Sequence, residues 1–359
     1  MNDLIKKYDA WLDDEGPAAL VLREHLMPVE GYDGVLFPAT FAASEDKNFR
    51  GGYNVDEFPD SNVCLVDSVG SQANRIEPLF MKKDYADLVP QIVVKAGSKK
   101  VNLLEAGHRA GDAIVRCSAL QKELQDAFKA VVDGNAEPLA KIAPTSLVFG
   151  VWDSRDTQAK LPRLIDSKIR AFNVQKLTRS AQYVPPVDYG AEGLLEEPGD
   201  LRDAEGRVKS KHPFAQRGFV HVPASGSHGG VIATGGIRRD ATLHLAALML
   251  LSAKEDGDKK TLALRRYILG LAMTALTCKP SSYLRQGCNL VSDPDKQTEF
   301  KLVFNNGRRE DATLKHEEAL AYAKVAVAAF GIGPDREVDF DLVLAKKDVS
   351  DTKKNKKTK

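Results

Sequence analysis

KLPRLIDSKIRAFNVQKLTRSAQY, residues 160–183, is the stretch on which the fold turns. Leu161, Leu164, Ile165, Ile169 and Phe172 recur at helical spacing with Pro162 in a first turn, whereas Lys168, Arg170, Phe172 and Val174 alternate with Ile169 and Ala171 as on a strand. The alternation predicts a strand from Asp166 to Val174, with Lys168, Arg170 and Phe172 on one face. Cations and an aromatic ring would then share a surface. That surface is either a solvated charged face or a place for phosphates and bases.

Outward from it, β-type runs are expected at Ala18–Val29, Val63–Asp67, Gln91–Lys95, Ser146–Trp152, Gly218–Val222 and Val338–Leu344. Helical patterns follow at Glu105–Leu120, from Asp240 (DATLHLAALMLL, with Asp240 as N-cap) and at Glu317–Phe330, which ends in GIGP. Strands and helices alternate without the regular spacing of a doubly wound sheet. An α+β fold with a ferredoxin-like core and large insertions fits best, as one domain over residues 1–345. The insertions expected to project are at about 38–62 and 184–213, both rich in Gly, Pro or acid.

The chain has 359 residues, with 51 Lys plus Arg against 50 Asp plus Glu and 43% hydrophobic residues, which excludes the disordered and collagen-like classes. Near neutrality hides segregation. Residues 155–179 carry +5, residues 184–206 carry −6, and the last fourteen carry +5 in a Lys-rich tail expected to be disordered. The N-terminus lacks the apolar region of a secretory signal. The longest candidate span, between Arg266 and Lys279, has twelve uncharged residues, short of the roughly twenty a bilayer needs. Cys64, Cys117, Cys278 and Cys288 are widely spaced and read as reduced packing thiols in a cytoplasmic protein, without a zinc pattern.

Enzyme signatures fail. Gly230–Gly235 has P-loop glycine spacing, but Gly236 and Ile237 follow it in place of Lys and Ser or Thr. No catalytic residue, metal or cofactor is expected. Among scattered histidines, His244 reads as core within an apolar helix, and His228 in SGSHGG is either a contact or a turn residue. Asp153 reads as a turn residue or partner of Arg155 rather than a base or metal ligand. In GGVIATGGIRRD, residues 229–240, the glycines with Arg238 and Arg239 form either a phosphate cradle or a bulged hairpin. In SQANRIEPLF, residues 71–80, Val69, Ala73, Ile76 and Phe80 would face a core while Gln72, Asn74 and Arg75 offer donors, with Pro78 breaking the helix.

SQANRIEPLF, EAGHRAGDAIVR (105–116), PTSLVFGVWDSR (144–155), IRAFNV and RSAQYVPP (within 169–186), RGFVHVP (217–223) and GGVIATGGIRRD together resemble the backbone subunit of type I-G (formerly I-U) CRISPR effector complexes. That is the RAMP-superfamily protein which polymerises along CRISPR RNA in Cascade. The resemblance covers about residues 18–292. It implies an RRM-like palm with finger and thumb insertions, and a non-catalytic role in holding the guide spacer and supporting target DNA pairing. The implied partners are CRISPR RNA, target DNA, further copies in a head-to-tail oligomer, and the large subunit and guide-processing subunit of the complex, with no membrane.

On that reading, Arg155, Lys160, Arg163, Lys168, Arg170, Arg179, Arg238 and Arg239 are expected at phosphates. Asn74, Arg75, Gln182 and Tyr183 are expected at sugars or base planes, and His228 is a further candidate contact. Arg109 and Arg116 would instead pair with Asp112 on a helix surface. The rival readings are an RNA-cleaving RAMP protein using Asp153 and a protein-only scaffold.

Overall fold

The computed structural model of the chain describes residues 2–45, 48–253, 257–279 and 281–357. Strand β1 (Ala19–Pro28) leads to helix α1 (Val69–Ile76) and strand β2 (Ile165–Phe172). A long hairpin, β3 (Val174–Tyr183) and β4 (Val222–Ala233), intervenes before β5 (Ile237–His244), α2 (Gly257–Thr277) and β6 (Glu299–Val303). The sheet runs β6–β1–β5–β2 with every pair antiparallel. Two interleaved β–α–β halves in that order make a ferredoxin-like, RRM-like α+β core, as the sequence led us to expect. Residues 61–67 and 55–58 extend the sheet beyond β2, and residues 288–292 and 283–285 extend it from the C-terminal end of β1.

Alternation sets the two faces. In β2, Ile165, Ser167, Ile169 and Ala171 are buried while Asp166, Lys168, Arg170 and Phe172 are half-exposed, so the strand expected over 166–174 is present as far as Phe172 with its cations on one side; Asn173, at φ +49°, breaks it, and Val174 begins β3. Leu20, Leu22, Ile165, Ala241 and Leu243 join Leu264, Tyr267, Ile268 and Leu271 of α2 in the main core. Each such leucine or isoleucine contributes about 1.5–3 kcal/mol on burial. Helix α2 contains the stretch weighed above as a membrane span. It is apolar nearly all round because it is sheathed by the sheet on one side and by α3 (His316–Phe330) on another. No described helix is long and apolar enough to cross a membrane. Gly270 lets α2 and α3 touch: a Cβ there would lie 2.8 Å from Cα of Ala323. Tyr267 stacks on Phe330 at 4.9 Å and donates to the Leu88 carbonyl.

A polar chain crosses the inner face. Gln72 Nε2 donates to Asp67 Oδ2 at 2.6 Å, and Ser167 Oγ donates to Gln72 Oε1 at 3.1 Å. Arg239 then donates to Ser167 Oγ, to Glu24 Oε2 at 3.1 Å and to the Leu276 carbonyl at 3.0 Å. Arg285 and Arg75 complete the charge balance at Asp67. The relay links α1, β2, β5, β1 and the end of α2.

Several local expectations are corrected. Asp240 does not cap a helix; it sits mid-strand in β5, and of the run DATLHLAALMLL only Leu245–Leu248 is helical. Residues 105–120 do not form one helix: short 3-10 turns at Leu103–Glu105 and Arg109–Gly111 precede Ala113–Arg116, whose N-cap is Asp112. Residues 145–149 are helical, and only Val151–Trp152 of that run is a strand. The β4 strand begins at Val222, so Gly218 to His221 lies before it. After Arg336–Asp339 the chain turns into helix α4 (Leu342–Lys357), capped by Asp341 and tied to the body by Arg116 to Asp348 at 2.6 Å. The tail expected to be disordered from Lys346 is thus helical to Lys357; residues 358 and 359 lie outside the described residues. Residues 38–62 hold strands Thr40–Phe41, Gly52–Tyr53 and Val55–Phe58, with residues 46 and 47 of that insertion outside the description. The acidic 184–213 segment joins the distal ends of β3 and β4 and is internally tied by Arg202 to Glu197 and Arg207 to Asp203.

One buried pair ties the turn at Arg109–Gly111 to the residue that ends α1. Arg109 has φ +53°, an unfavourable conformation for a side-chain-bearing residue, and is 4% exposed. Its Nε lies 2.7 Å from Oε2 of Glu77, which is 1% exposed, while Nη1 donates to the Gly150 carbonyl and Nη2 to Asn74 Oδ1. Burial pushes the Glu77 carboxyl up to about 7, against the pull of Arg109.

Two stability measurements test this packing. Gly270→Val is expected to cost about 1–3 kcal/mol in urea denaturation by forcing α2 from α3; an unchanged midpoint would contradict that close approach. Glu77→Ala strands a buried guanidinium and is expected to cost about 3–5 kcal/mol, whereas the double change Glu77→Leu with Arg109→Met costs less than the single one. Simple additivity of the two changes would show that the side chains do not act as a pair.

Candidate nucleic-acid interface

A groove beside the start of α1 has a volume of about 570 Å³. Its walls bring together Asn74 from α1, Arg109 from the turn at Arg109–Gly111, and Trp152, Lys160 and Arg163 from the segment before β2. None of its lining residues is acidic. Ser68 caps α1 through the Ser71 amide, which sets the exposed side of the helix, with Asn74 on it, towards the groove. The Arg109 bond to Asn74 Oδ1 leaves the amide nitrogen of Asn74 as the donor to an incoming group.

The opposite wall is a short antiparallel ladder in which Trp152 pairs with Lys160. Residues directly opposed on a ladder project to the same side. Lys160 Nζ accordingly stands 5.6 Å from the Trp152 ring centroid, and the ring is 58% exposed. Gly150, at φ +77°, admits the backbone of Arg163: a Cβ at 150 would lie 3.0 Å from the Arg163 nitrogen. That close approach places Arg163 at the rim. The floor at Gly70 and Gly107 is open, with no atom within 4 Å of where a Cβ would stand.

A second basic surface is the outer face of the sheet. Arg170 Nη2 lies 2.9 Å from Asp240 Oδ2, Arg238 Nε lies 2.8 Å from Asp240 Oδ1, and Arg23 approaches the same carboxylate at 3.8 Å. Three guanidiniums share the Asp240 carboxylate, and Arg23 also has Glu299 at 4.0 Å, so the cluster keeps excess positive charge. Phe172 lies among them, its ring 4.7 Å from Arg238 and 5.9 Å from Arg170. Lys168 is held by Asp166 at 3.0 Å. On the hairpin, Arg179 stands over Phe37, and Gln182 and Tyr183 are exposed at its far end. His228, also exposed, lies against Tyr53 with ring centroids 4.9 Å apart.

The thirteen expected contact residues therefore do not form one site. Asn74, Lys160 and Arg163 meet in the groove; Lys168, Arg170 and Arg238 meet on the sheet face; Arg179, Gln182, Tyr183 and His228 lie on the hairpin. Arg155 is exposed in the turn that follows Trp152. Arg75 leans back to Asp67 at 3.3 Å.

Arg239 is a correction. It is 2% exposed and spent on Glu24, Ser167 and Leu276, because adjacent strand residues point to opposite faces and Arg238 takes the outer one. Gln72, expected as an exposed donor, is likewise buried in the relay. Arg109 and Arg116 pair with Glu77 and Asp348 rather than Asp112. The glycines of the run from Gly229 serve a bulged hairpin at one end only: the register of β3 and β4 shifts between Lys176–Val231 and Thr178–His228, which puts Gly229 and Gly230 at the irregularity, while Gly236, at φ +83°, lies in the turn into β5, whose partners are β1 and β2. His244 ends β5, half-buried, and is not in a helix. Asp153 accepts from the amides of Asp156 and Thr157 and from the Thr157 hydroxyl, which makes it the organiser of its turn. Trp152 was overlooked in sequence. Its cue was a lone exposed aromatic, and its partner Lys160 is joined to it only through the ladder.

Residues 20–176 match the family model for CRISPR-associated protein GSU0053 (Cas_GSU0053). No curated protein matches the chain. The matched stretch holds β1, α1, the Glu77–Arg109 pair, both walls of the groove and β2. This similarity supports a CRISPR-associated protein with a part in antiviral defence.

Proposed function

We propose that the chain is a non-catalytic, cytoplasmic CRISPR RNA-binding backbone subunit of a type I-G effector complex. Copies of it line up head to tail on the guide spacer and hold it for pairing with target DNA, alongside the large subunit and the guide-processing subunit. The observation that carries this reading is the acid-free groove, in which two outward cations, a donor amide and an exposed tryptophan converge. Those are the groups for sequence-independent contact with phosphate, sugar and base plane, which leaves base edges available for pairing. The outer face and the hairpin, with Arg170, Arg238 and Arg179, would extend the basic surface. Asp153, committed to its turn, favours this reading over RNA cleavage.

Purified with guide RNA and its partner subunits, the chain should carry nucleic acid, seen as a raised 260/280 nm absorbance ratio. Charge reversal at Arg163 and Arg179 together should weaken RNA binding at least about ten-fold at about 0.1 M salt and reduce the salt slope by about 1–2. Purification free of nucleic acid, with no binding of guide RNA even with partners present, would overturn the reading.

A further inference from the structure

We propose that the groove beside α1 seats one unstacked nucleotide of the bound strand, its base laid on the Trp152 ring and its phosphate held by Lys160 and Arg163. This rests on the RNA-binding reading and assigns it a specific pocket. A volume of about 570 Å³ lies within the range of pockets that enclose a small organic ligand.

Three features point to a nucleotide rather than a bare anion. First, an exposed indole forms a wall where a phosphate alone would need none; at 58% exposure it forgoes much of the burial that would otherwise hold such a ring in a core. Second, Lys160, the ladder partner of Trp152, holds its Nζ over that ring at 5.6 Å from the centroid, and Arg163 lines the same groove, so cations and an aromatic face are presented together. Third, the floor is glycine. Gly70 and Gly107 leave open space where any side chain would intrude, although neither has a positive φ that requires glycine. Asn74, aimed by Arg109, supplies a donor to sugar or phosphate at the side.

The chain has two tryptophans, Trp11 and Trp152, so the Trp11→Phe background makes Trp152 the sole indole emitter. A uridine oligomer of about ten nucleotides, within the span covered by single-strand binding surfaces, is titrated into that protein. Trp152 emission is expected to change saturably, with uridine monophosphate giving the same change at higher concentration and inorganic phosphate giving none.

Binding followed separately by anisotropy of a labelled oligomer should weaken about 5- to 150-fold in Trp152→Ala, the range of base–aromatic stacking. Gly70→Leu, whose Cβ would stand in open space at the floor, should weaken it as well, with far-ultraviolet circular dichroism unchanged. Oligomer binding with constant Trp152 emission, and with both variants within two-fold of wild type, would overturn the nucleotide seat while leaving RNA binding intact. An emission change reproduced by inorganic phosphate alone would make the groove an anion site and overturn it too. Failure of the oligomer to bind even with the partner subunits present would remove the RNA-binding reading on which the seat depends.

Discussion

The buried carboxylate of Asp67, and the relay that runs from it through Gln72, Ser167 and Arg239 to Glu24, is the constraint on which the rest of the structure hangs. Charges this deep are tolerated only when every partner is in place. Because the side-chain period of a strand is two residues, a one-residue slip of β5 would turn Arg239 out and drive Arg238 into the core. The relay therefore fixes register across β1, β5 and β2, and with it the outer face on which Arg170 and Arg238 share Asp240. It also clamps α1 to the sheet through Gln72. From that clamped helix, Asn74 reaches the groove and Glu77 receives Arg109, so the groove inherits its geometry from a network on the other side of the helix.

What could be read from sequence follows from how local each signal is. The alternation of residues 165–172 is strong enough to give the strand, its faces and its cations. The break of α1 near Pro78 and the span of α3 are equally local. The run from Asp240 misleads because its apolar residues suit either period, and Arg239 interrupts the inward pattern with a charge whose partners lie in β1, β2 and α2. The Glu105–Leu120 pattern fails for a similar reason: Arg109 bends into a left-handed conformation to reach Glu77, a partner 32 positions earlier. Helix α2 looked like an aborted membrane span because burial on several sides erases amphipathicity. The groove was half legible, since Asn74, Lys160 and Arg163 were singled out, but Trp152 and Arg109 gain their meaning only from contacts that pass through the ladder and the buried pair.

The charge arithmetic takes on a sharper sense in three dimensions. A near-neutral total coexists with a groove that has no carboxylate in its walls and with an outer face where one aspartate serves three arginines. The compensating acid is concentrated in the segment between β3 and β4. A chain so divided can offer cations to a polyanion at one surface without the non-specific adhesiveness of a strongly basic protein, and repeated copies along one strand would multiply individually modest contacts.

Amide hydrogen exchange of the full chain, with and without a guide-length RNA, tests the central claim most directly. The account predicts slowed exchange at residues 70–75, 107–111 and 150–163, the backbone around the groove, on RNA binding. RNA bound with exchange in those three segments unchanged would contradict it.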